Sequence, residues 1–192
     1  MIAVTMHTKS YEEKAKRLAL SALRVGVTLI DHYIEPGERW RQTTHKKARV
    51  ILRALDKFPG VDILWIDADS EFRRHPIECL RLPETITVAA FNHAGFLWGS
   101  TIFWRNNLGA RAILERWAAQ NAEAPQYSAD NNLWRVLEEG RLPSYAPLPQ
   151  SYASCILPGM WGLPEVEDPA ILHYGTLTGP EKFSGIRHPG VT

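Results

Sequence analysis

Two aspartates that stand one residue apart, Asp67 and Asp69, are the residues of this sequence best suited to chemistry. They follow an apolar run at residues 61–66, which is typical of a buried β-strand. Side chains two positions apart in a strand project from the same face, so we expect the two carboxylates to point together. Two like charges at this spacing need a cation. Hard divalent ions such as Mg²⁺ and Mn²⁺ bind carboxylates and share them with substrate phosphates, so the pair predicts a metal-bound diphosphate site.

The same tripeptide has a simpler interpretation as a solvated strand end. In that case both carboxylates would pair with the nearby Arg73 and Arg74, and such exposed ion pairs contribute little to stability or function. The tripeptide alone does not separate the two interpretations. The position of the two aspartates in the fold has to do so.

The composition favours one globular domain, and we predict a single unit over residues 1–192. The net charge of +1 argues against a general binder of nucleic acid or acidic membranes. The two cysteines, Cys79 and Cys155, have no metal-ligand spacing, which fits a reducing compartment. No apolar run approaches the ~20 residues of a membrane span, and no signal peptide is recognised, so we expect a cytoplasmic protein.

The elements before the aspartates alternate between strand and helix. Strands are predicted at residues 2–5, 27–30 and 61–66, and helices at residues 11–24 and 44–57. Ser10 and Glu13 have the spacing of a capping box for the first helix, which Gly26 is expected to end. Strands that are apolar on both faces in this order predict an α/β fold with a parallel sheet. Ligands of such sheets bind at the carboxyl ends of the strands, where Asp67 and Asp69 fall.

The second half of the chain is predicted to continue the sheet and to cover it. Strands are expected at residues 85–90, 96–104 and 170–174, helices at residues 109–121 and 129–139, and a loop with an edge strand at residues 143–149. Four of the seven tryptophans fall in these patterns and are predicted to lie in the core: Trp65, Trp104, Trp117 and Trp134. Trp98 and Trp161 are candidates for stacking on an acceptor sugar.

Several short motifs occur in an order that resembles the GT-A-fold nucleotide-sugar transferases. They are Leu64-Trp65-Ile66-Asp67-Ala68-Asp69, continuing to His75-Pro76; Gly99-Ser100-Thr101-Ile102-Phe103; Ile113-Leu114-Glu115-Arg116-Trp117; Ser128-Ala129-Asp130-Asn131; and Ile171-Leu172-His173-Tyr174-Gly175. The resemblance implies a GT-A-like, Rossmann-like fold, with a mixed and mostly parallel sheet flanked by helices. It also implies a half for nucleotide-sugar and metal binding at residues 1–105 and an acceptor-side half at residues 106–192.

The resemblance also implies a metal site and a catalytic carboxylate. Asp69 would bind Mn²⁺ or Mg²⁺ directly, Asp67 would reach the metal or the ribose, and His173 would be the third protein ligand; alternatively, His173 is a satisfied histidine at a strand end. Asp130 would orient a sugar hydroxyl or act as the general base, although it could instead cap a helix. Asn131 stands where the family pattern usually has glutamine.

Further residues are implied to bind the donor. Gly99 and Ser100 would lie under the sugar, and Thr5, His7 and Tyr11 would lie near the nucleotide base. The cations expected at the diphosphate are Lys46, Arg49 and Lys182. For Lys46 and Arg49, a place on a solvated helix surface is the alternative, and for Tyr11 a helix-surface aromatic.

These motifs lead to the hypothesis of a metal-dependent glycosyltransferase that moves a sugar from a nucleotide-diphospho-sugar donor, expected to be a UDP-sugar, to a hydroxyl. The acceptor is left open among a glycan, a protein, a small molecule and a modified nucleic-acid base. A nucleotidyltransferase is one alternative, but the expected glycine-rich phosphate loop is absent from residues 5–10. A non-catalytic nucleotide-sugar-binding module is the other alternative.

Overall fold

A computed structural model describes residues 1–37, 39–93, 96–140, 144–155 and 166–174. Its strands are β1 (Ile2–His7), β2 (Leu29–Tyr33), β3 (Ile63–Ile66), β4 (Ser70–Phe72), β5 (Val88–His93), β6 (Phe96–Trp104), β7 (Tyr145–Pro147), β8 (Ser154–Cys155) and β9 (Ile171–His173). Its α-helices are α1 (Glu12–Arg24), α2 (Trp40–Thr44), α3 (Lys47–Lys57), α4 (Ile77–Leu80), α5 (Leu108–Glu123) and α6 (Ala129–Glu139).

The main sheet has six strands in the order β2-β1-β3-β6-β5-β7. β1 pairs in parallel with both β2 and β3, and β5 pairs in parallel with β7. β6 is antiparallel to both of its neighbours, so five strands run one way and one runs against them. The predicted α/β fold with a mixed, mostly parallel sheet is therefore confirmed.

Helices cover one face of this sheet, and a helix with a second sheet covers the other. The first face packs against α3, α5 and α6, and its core includes Trp65, Trp104 and Trp117, all fully buried as predicted. The rings of Trp104 and Trp117 stack with centroids 6.1 Å apart. Trp134 is only partly buried. The opposite face packs against α1 and against residues 148–152 and 170–171. Among the described residues, no helix has both the length and the apolar character to cross a membrane.

The second sheet was not predicted. It has three strands in the order β4-β9-β8, with β9 antiparallel to β4 and parallel to β8. The expected strand at residues 170–174 thus forms, but it lies outside the main sheet. Its pairing places His173 opposite Ser70, directly after the Asp-x-Asp tripeptide. The small sheet therefore brings the end of the described chain to the two aspartates.

Several predicted boundaries are wrong for local reasons. The chain makes a 3₁₀ turn over Lys9–Tyr11 before α1, and the N-cap residue Tyr11 makes no side-chain cap bond, so the predicted capping box does not form. Gly26 ends the helix as expected, with φ +73°, a conformation that glycine adopts without strain. The predicted helix at residues 44–57 forms as α3 but begins only at Lys47, and the short helix α2 before it was not predicted. The Thr44 hydroxyl bonds to the carbonyl of Arg41 at the point where α2 ends.

Candidate functional site

Asp67 and Asp69 lie in the connection between β3 and β4, not in a strand. β3 ends at Ile66, and the chain turns at once, with the Ser70 N–H bonded to the Asp67 carbonyl at 3.1 Å. The prediction that strand alternation points the two carboxylates together is therefore wrong. The Asp67 N–H donates to the carbonyl of Ser100 in β6 at 2.9 Å. This bond holds the turn against the main sheet at the carboxyl end of β3.

The simpler interpretation of the tripeptide is also wrong. Arg73 pairs with Glu71, and Arg74 pairs with Glu78 and Asp168. Neither arginine is ion-paired with Asp67 or Asp69 in the part of the chain that the structure describes.

The partner of Asp67 is Lys47, in the first turn of α3. Its Nζ atom lies 3.0 Å from Oδ1 of Asp67 and 3.7 Å from Oδ1 of Asp130, and it donates to the carbonyl of Gly99 at 3.2 Å. The Trp65 indole N–H also donates to Oδ1 of Asp67, at 3.0 Å. Lys47 is 4% exposed, so these contacts replace its hydration almost completely. One buried ammonium thus joins three elements of the site.

The charges of this cluster depend on one another. Burial by itself lowers the pKa of Lys47, but the carboxylates of Asp130 and Asp67 raise it by more, so the pKa lies above its usual value. Burial raises the pKa of Asp130, and the charge of Asp67 raises it further, while Lys47 opposes both effects. Lys47 is therefore held in its charged form, and the affinity of Asp130 for a proton is greater than that of an ordinary aspartate.

Asp130 lies against Gly99. A Cβ atom at position 99 would overlap the Asp130 carboxylate, and the Gly99 backbone N–H donates a hydrogen bond to it. The N-cap of α6 is Ser128, whose hydroxyl accepts from the Asn131 N–H at 3.1 Å. Since Ser128 supplies the cap, the alternative role of Asp130 as the N-cap residue is wrong, and its carboxylate faces Lys47 instead.

Asp69 differs from the other two carboxylates. It is half-buried, and its carboxylate makes no hydrogen bond or ion pair with the described residues. Its negative charge by itself raises the pKa of Lys47, His173 and Cys155. Within the described part of the chain, Asp69 is thus the acidic side chain of this site whose oxygens have no bonded partner.

His173 is buried next to this turn and has hydrogen-bond partners at both ring nitrogens. Nδ1 lies 2.7 Å from the Ser70 hydroxyl, and Nε2 lies 3.0 Å from the Tyr152 carbonyl and 3.2 Å from the Thr101 hydroxyl. A carbonyl only accepts, so Nε2 carries the proton and Nδ1 accepts from Ser70. Burial lowers the pKa of His173, which favours the neutral ring. For His173 to bind a metal, one of its ring nitrogens would have to give up its hydrogen bonds to Ser70 or to Tyr152 and Thr101.

The residues fit a divalent cation that is bound mainly through oxygen. Three carboxylates, those of Asp67, Asp69 and Asp130, against one ammonium of Lys47 and a neutral His173 leave a formal charge of −2. Among the described residues, no three His, Cys, Asp or Glu side chains form a ready-made metal site. Such a cation would depend on phosphate oxygens of a bound substrate, as Mg²⁺ commonly does.

Of the residues predicted near the nucleotide base, Thr5 lies within β1, His7 is its last residue and Tyr11 follows it. His7 Nδ1 is 2.8 Å from Oδ1 of Asp31, in the middle of β2, and the His7 ring meets the ring of Tyr33 edge-on. Thr5 is fully buried, and its hydroxyl has no hydrogen-bond partner among the described residues. The Tyr11 ring lies under the ammonium of Lys14 at 4.1 Å.

The predicted diphosphate cations have different positions. Lys46 donates to the carbonyl of Glu35 at 2.5 Å on the protein surface, and Arg49 is exposed. Lys182 and Trp161 lie outside the described residues. Ser100 contributes its backbone carbonyl to the Asp67 turn, and the Trp98 ring meets His173 edge-on at 6.1 Å.

Lys47 is the site residue that the sequence reasoning missed. A signal for it exists: Lys47 precedes Val50 and Ile51 by three and four positions, so it falls on the apolar stripe of α3, where an unpaired lysine would be costly. A lysine on the buried face of a helix indicates a partner of opposite charge.

Comparison with known proteins defines the class of fold. No protein-family model matches the chain, and no curated protein matches it. Many solved structures do match it, and several of these are glycosyltransferases. The chain therefore shares the fold of these glycosyltransferases.

Three solved structures illustrate the likeness. A glycosyltransferase involved in glycosylation of the major capsid of PBCV-1 has a TM-score of 0.70 at 17% identity, with 95% of this chain and 96% of that chain covered. GlyE of Streptococcus pneumoniae TIGR4 has a TM-score of 0.62 at 14% identity, with 96% and 57% covered. The bifunctional WbbM has a TM-score of 0.61 at 12% identity, with 91% and 45% covered. The chain thus spans about half the length of the last two proteins.

Proposed function

We propose that this chain is a metal-dependent glycosyltransferase that moves a sugar from a nucleotide-diphospho-sugar, with UDP as the expected nucleotide, to an acceptor hydroxyl. The observation that carries the proposal is the buried ion cluster of Lys47, Asp67 and Asp130 beside the available carboxylate of Asp69. This cluster lies where β3 ends, at the edge at which α/β sheets bind ligands. The fold shared with solved glycosyltransferases supports the same class of reaction.

Lys47 is proposed to organise the donor site. Its ammonium holds the carboxylates of Asp67 and Asp130 at fixed distances before any substrate binds, and its charge reduces their mutual repulsion. A pre-formed arrangement of this kind lowers the cost of orienting the donor. Gly99 contributes by lacking a side chain, because that absence makes room for the Asp130 carboxylate.

Asp69, together with Asp67, is proposed to hold Mn²⁺ or Mg²⁺, with His173 as the third protein ligand. When bound, such a cation would stabilise the negative charge of the departing nucleoside diphosphate. Two features of the site support this proposal. Its side chains carry a formal charge of −2, and the oxygens of Asp69 have no bonded partner among the described residues.

Asp130 is proposed to contact the sugar or the acceptor. Burial raises its pKa, so its carboxylate accepts a proton more readily than an exposed aspartate, which suits either a general base or the acceptor of a hydroxyl hydrogen bond. The acceptor hydroxyl is proposed to belong to a glycan, a protein, a small molecule or a modified nucleic-acid base. The net charge of +1 provides no general attraction to nucleic acid.

Calorimetric titration tests the donor half of this proposal. UDP, GDP and ADP are titrated with and without Mn²⁺, and UDP is expected to bind more tightly with the metal. Failure of all three nucleotides to bind in the presence of Mn²⁺ would overturn the proposal. A donor screen by mass spectrometry then follows sugar transfer or hydrolysis, with Asp69→Ala as the inactive control. Metal-dependent binding without turnover of any donor would instead identify a non-catalytic nucleotide-sugar-binding module.

A further inference from the structure

Tyr174, the residue after β9, contacts the Asp-x-Asp turn and two other elements. Its backbone N–H donates to the Asp69 carbonyl at 2.8 Å, which extends the pairing of β4 and β9 by one step. Its hydroxyl donates to Oε2 of Glu71 at 2.5 Å. The guanidinium of Arg17, on α1, lies 3.8 Å from the centre of its ring. Tyr174 is therefore held at its backbone, its ring and its hydroxyl.

Glu71 is a firm anchor for the Tyr174 hydroxyl. It is 7% exposed, and its other oxygen, Oε1, accepts from Arg24 at 2.8 Å and from Arg73 at 3.2 Å. Burial by itself raises the pKa of Glu71, but the hydrogen bonds from Tyr174 and Arg24 lower it by more. The ionised carboxylate is thus shared by α1, β4 and Tyr174, and hydrogen bonds to a charged acceptor are the stronger kind.

Asp69 needs such an anchor because none of the described side chains bonds to its carboxylate. The position of that carboxylate follows from the backbone of the turn. On one side, the turn is held by the bonds of Asp67 to Ser100 and of Ser70 to Asp67. On the other side, the bond from the Tyr174 N–H holds the carbonyl of Asp69 itself.

We propose that Tyr174 is a positioning residue, which with Glu71 and Arg17 holds Asp69 in the orientation that receives the metal-bound diphosphate. This inference rests on the proposed function. Groups outside the ligand shell that orient a ligand commonly change metal affinity by about 10–100-fold when they are removed. A purely structural role, in which Tyr174 only joins α1 to the second sheet, would change stability and leave ligand binding unaltered.

The test is Tyr174→Phe, which removes only the hydroxyl and keeps the ring under Arg17 and the N–H to Asp69. UDP affinity is measured by calorimetry with Mn²⁺ and again with EDTA, and the ratio of the two affinities reports the contribution of the metal. In the variant this ratio is expected to fall by about tenfold, while the affinity in EDTA stays unchanged. Mn²⁺ alone, followed by its EPR signal, is the second probe and is expected to bind more weakly to the variant.

Tyr145→Phe is the matched control. Tyr145 is also partly buried, and its hydroxyl also donates one hydrogen bond, to the Ala90 carbonyl at 2.8 Å, but it lies in β7 at the far edge of the main sheet. Its replacement is expected to leave the affinity ratio unchanged. A wild-type ratio retained in Tyr174→Phe would overturn the positioning role and leave the proposed function standing. If the wild-type protein itself shows no metal-dependent binding, both proposals are rejected.

Discussion

The Nζ atom of Lys47 lies 3.0 Å from Oδ1 of Asp67, although the two residues are separated by most of α3, all of β3 and the loop between them. The same ammonium reaches Asp130 on α6, at 3.7 Å. Asp69, two residues after Asp67, makes no side-chain hydrogen bond or ion pair with the described residues. The cluster resembles neither a solvated strand end nor a ready-made three-ligand metal centre.

Removing the charge of Lys47 should cost both stability and turnover. In Lys47→Met, Asp67 and Asp130 lose their counter-ion in a partly buried position, so we expect a loss of about 2–3 kcal/mol of unfolding free energy in urea. This is less than for a fully buried pair, because the Asp67 and Asp130 side chains are each 26% exposed. Donor turnover should fall at least about 100-fold. Lys46→Met is the control and should change stability by less than about 0.5 kcal/mol.

A side chain at Gly99 should displace the Asp130 carboxylate. We expect Gly99→Ala to lower donor turnover by about 100-fold, because small displacements of reacting groups have effects of that size. The overlap should also cost about 1–3 kcal/mol of stability. Gly109→Ala, in the first turn of α5, is the control, since its Cβ would meet neighbouring atoms at 3.3 Å without severe overlap. Equal activities of the two variants would contradict the contact between Gly99 and Asp130.

The two aspartates of the tripeptide should respond differently to the same change. Asp69→Asn should keep its unfolding free energy within about 0.5 kcal/mol and lose metal-dependent UDP binding, because its carboxylate is not bonded to the described protein. Asp67→Asn should lose about 1–3 kcal/mol, because the buried Lys47 loses its nearest carboxylate. Urea unfolding and calorimetry with Mn²⁺ measure both effects. Equal destabilisation of the two variants would contradict this division.

His173→Gln tests the third proposed ligand. The variant should lose about 1–3 kcal/mol of stability, because the buried Ser70 hydroxyl and Tyr152 carbonyl lose hydrogen bonds. If His173 also binds the metal, the affinity for UDP with Mn²⁺ should fall by about tenfold, while the affinity in EDTA is unchanged. An unchanged affinity with Mn²⁺ would leave His173 a structural role only.

His32, in β2, should make the fold less stable in mild acid. Burial lowers its pKa below 6.5, and the charge of Lys57 adds to this effect, while Asp31 opposes it. As the pH falls through about 6.5, the unfolded chain takes up a proton that the folded chain does not, so stability is lost as the pH falls towards the folded-state pKa. The drop in melting temperature between pH 7.5 and pH 5.5 should be smaller in His32→Gln. The same substitution at the exposed His93 is the control.

The local patterns of the chain predict much of the fold. The period of the apolar residues predicted the bounds of α6, because this helix buries a regular face, and the apolar run at residues 96–104 predicted the bounds of β6. The limits of β2, the helix α2 and the first residue of α3 were not predicted. These depend on hydrogen bonds of threonine hydroxyls and on strand pairing, which a single segment does not reveal.

The sequence by itself predicts three features of this protein, because each is a local pattern of residue types. They are the order of strands and helices, the Asp-x-Asp tripeptide at a strand end and the glycine that precedes Ser100. The tertiary structure decided that Asp67 is bound to Lys47, that Asp69 has no bonded side-chain partner among the described residues and that His173 is hydrogen-bonded to Ser70, Tyr152 and Thr101. These contacts join residues 20 to more than 100 positions apart. Their energies depend on burial and distance, and both quantities exist only once the sheets and helices have packed together.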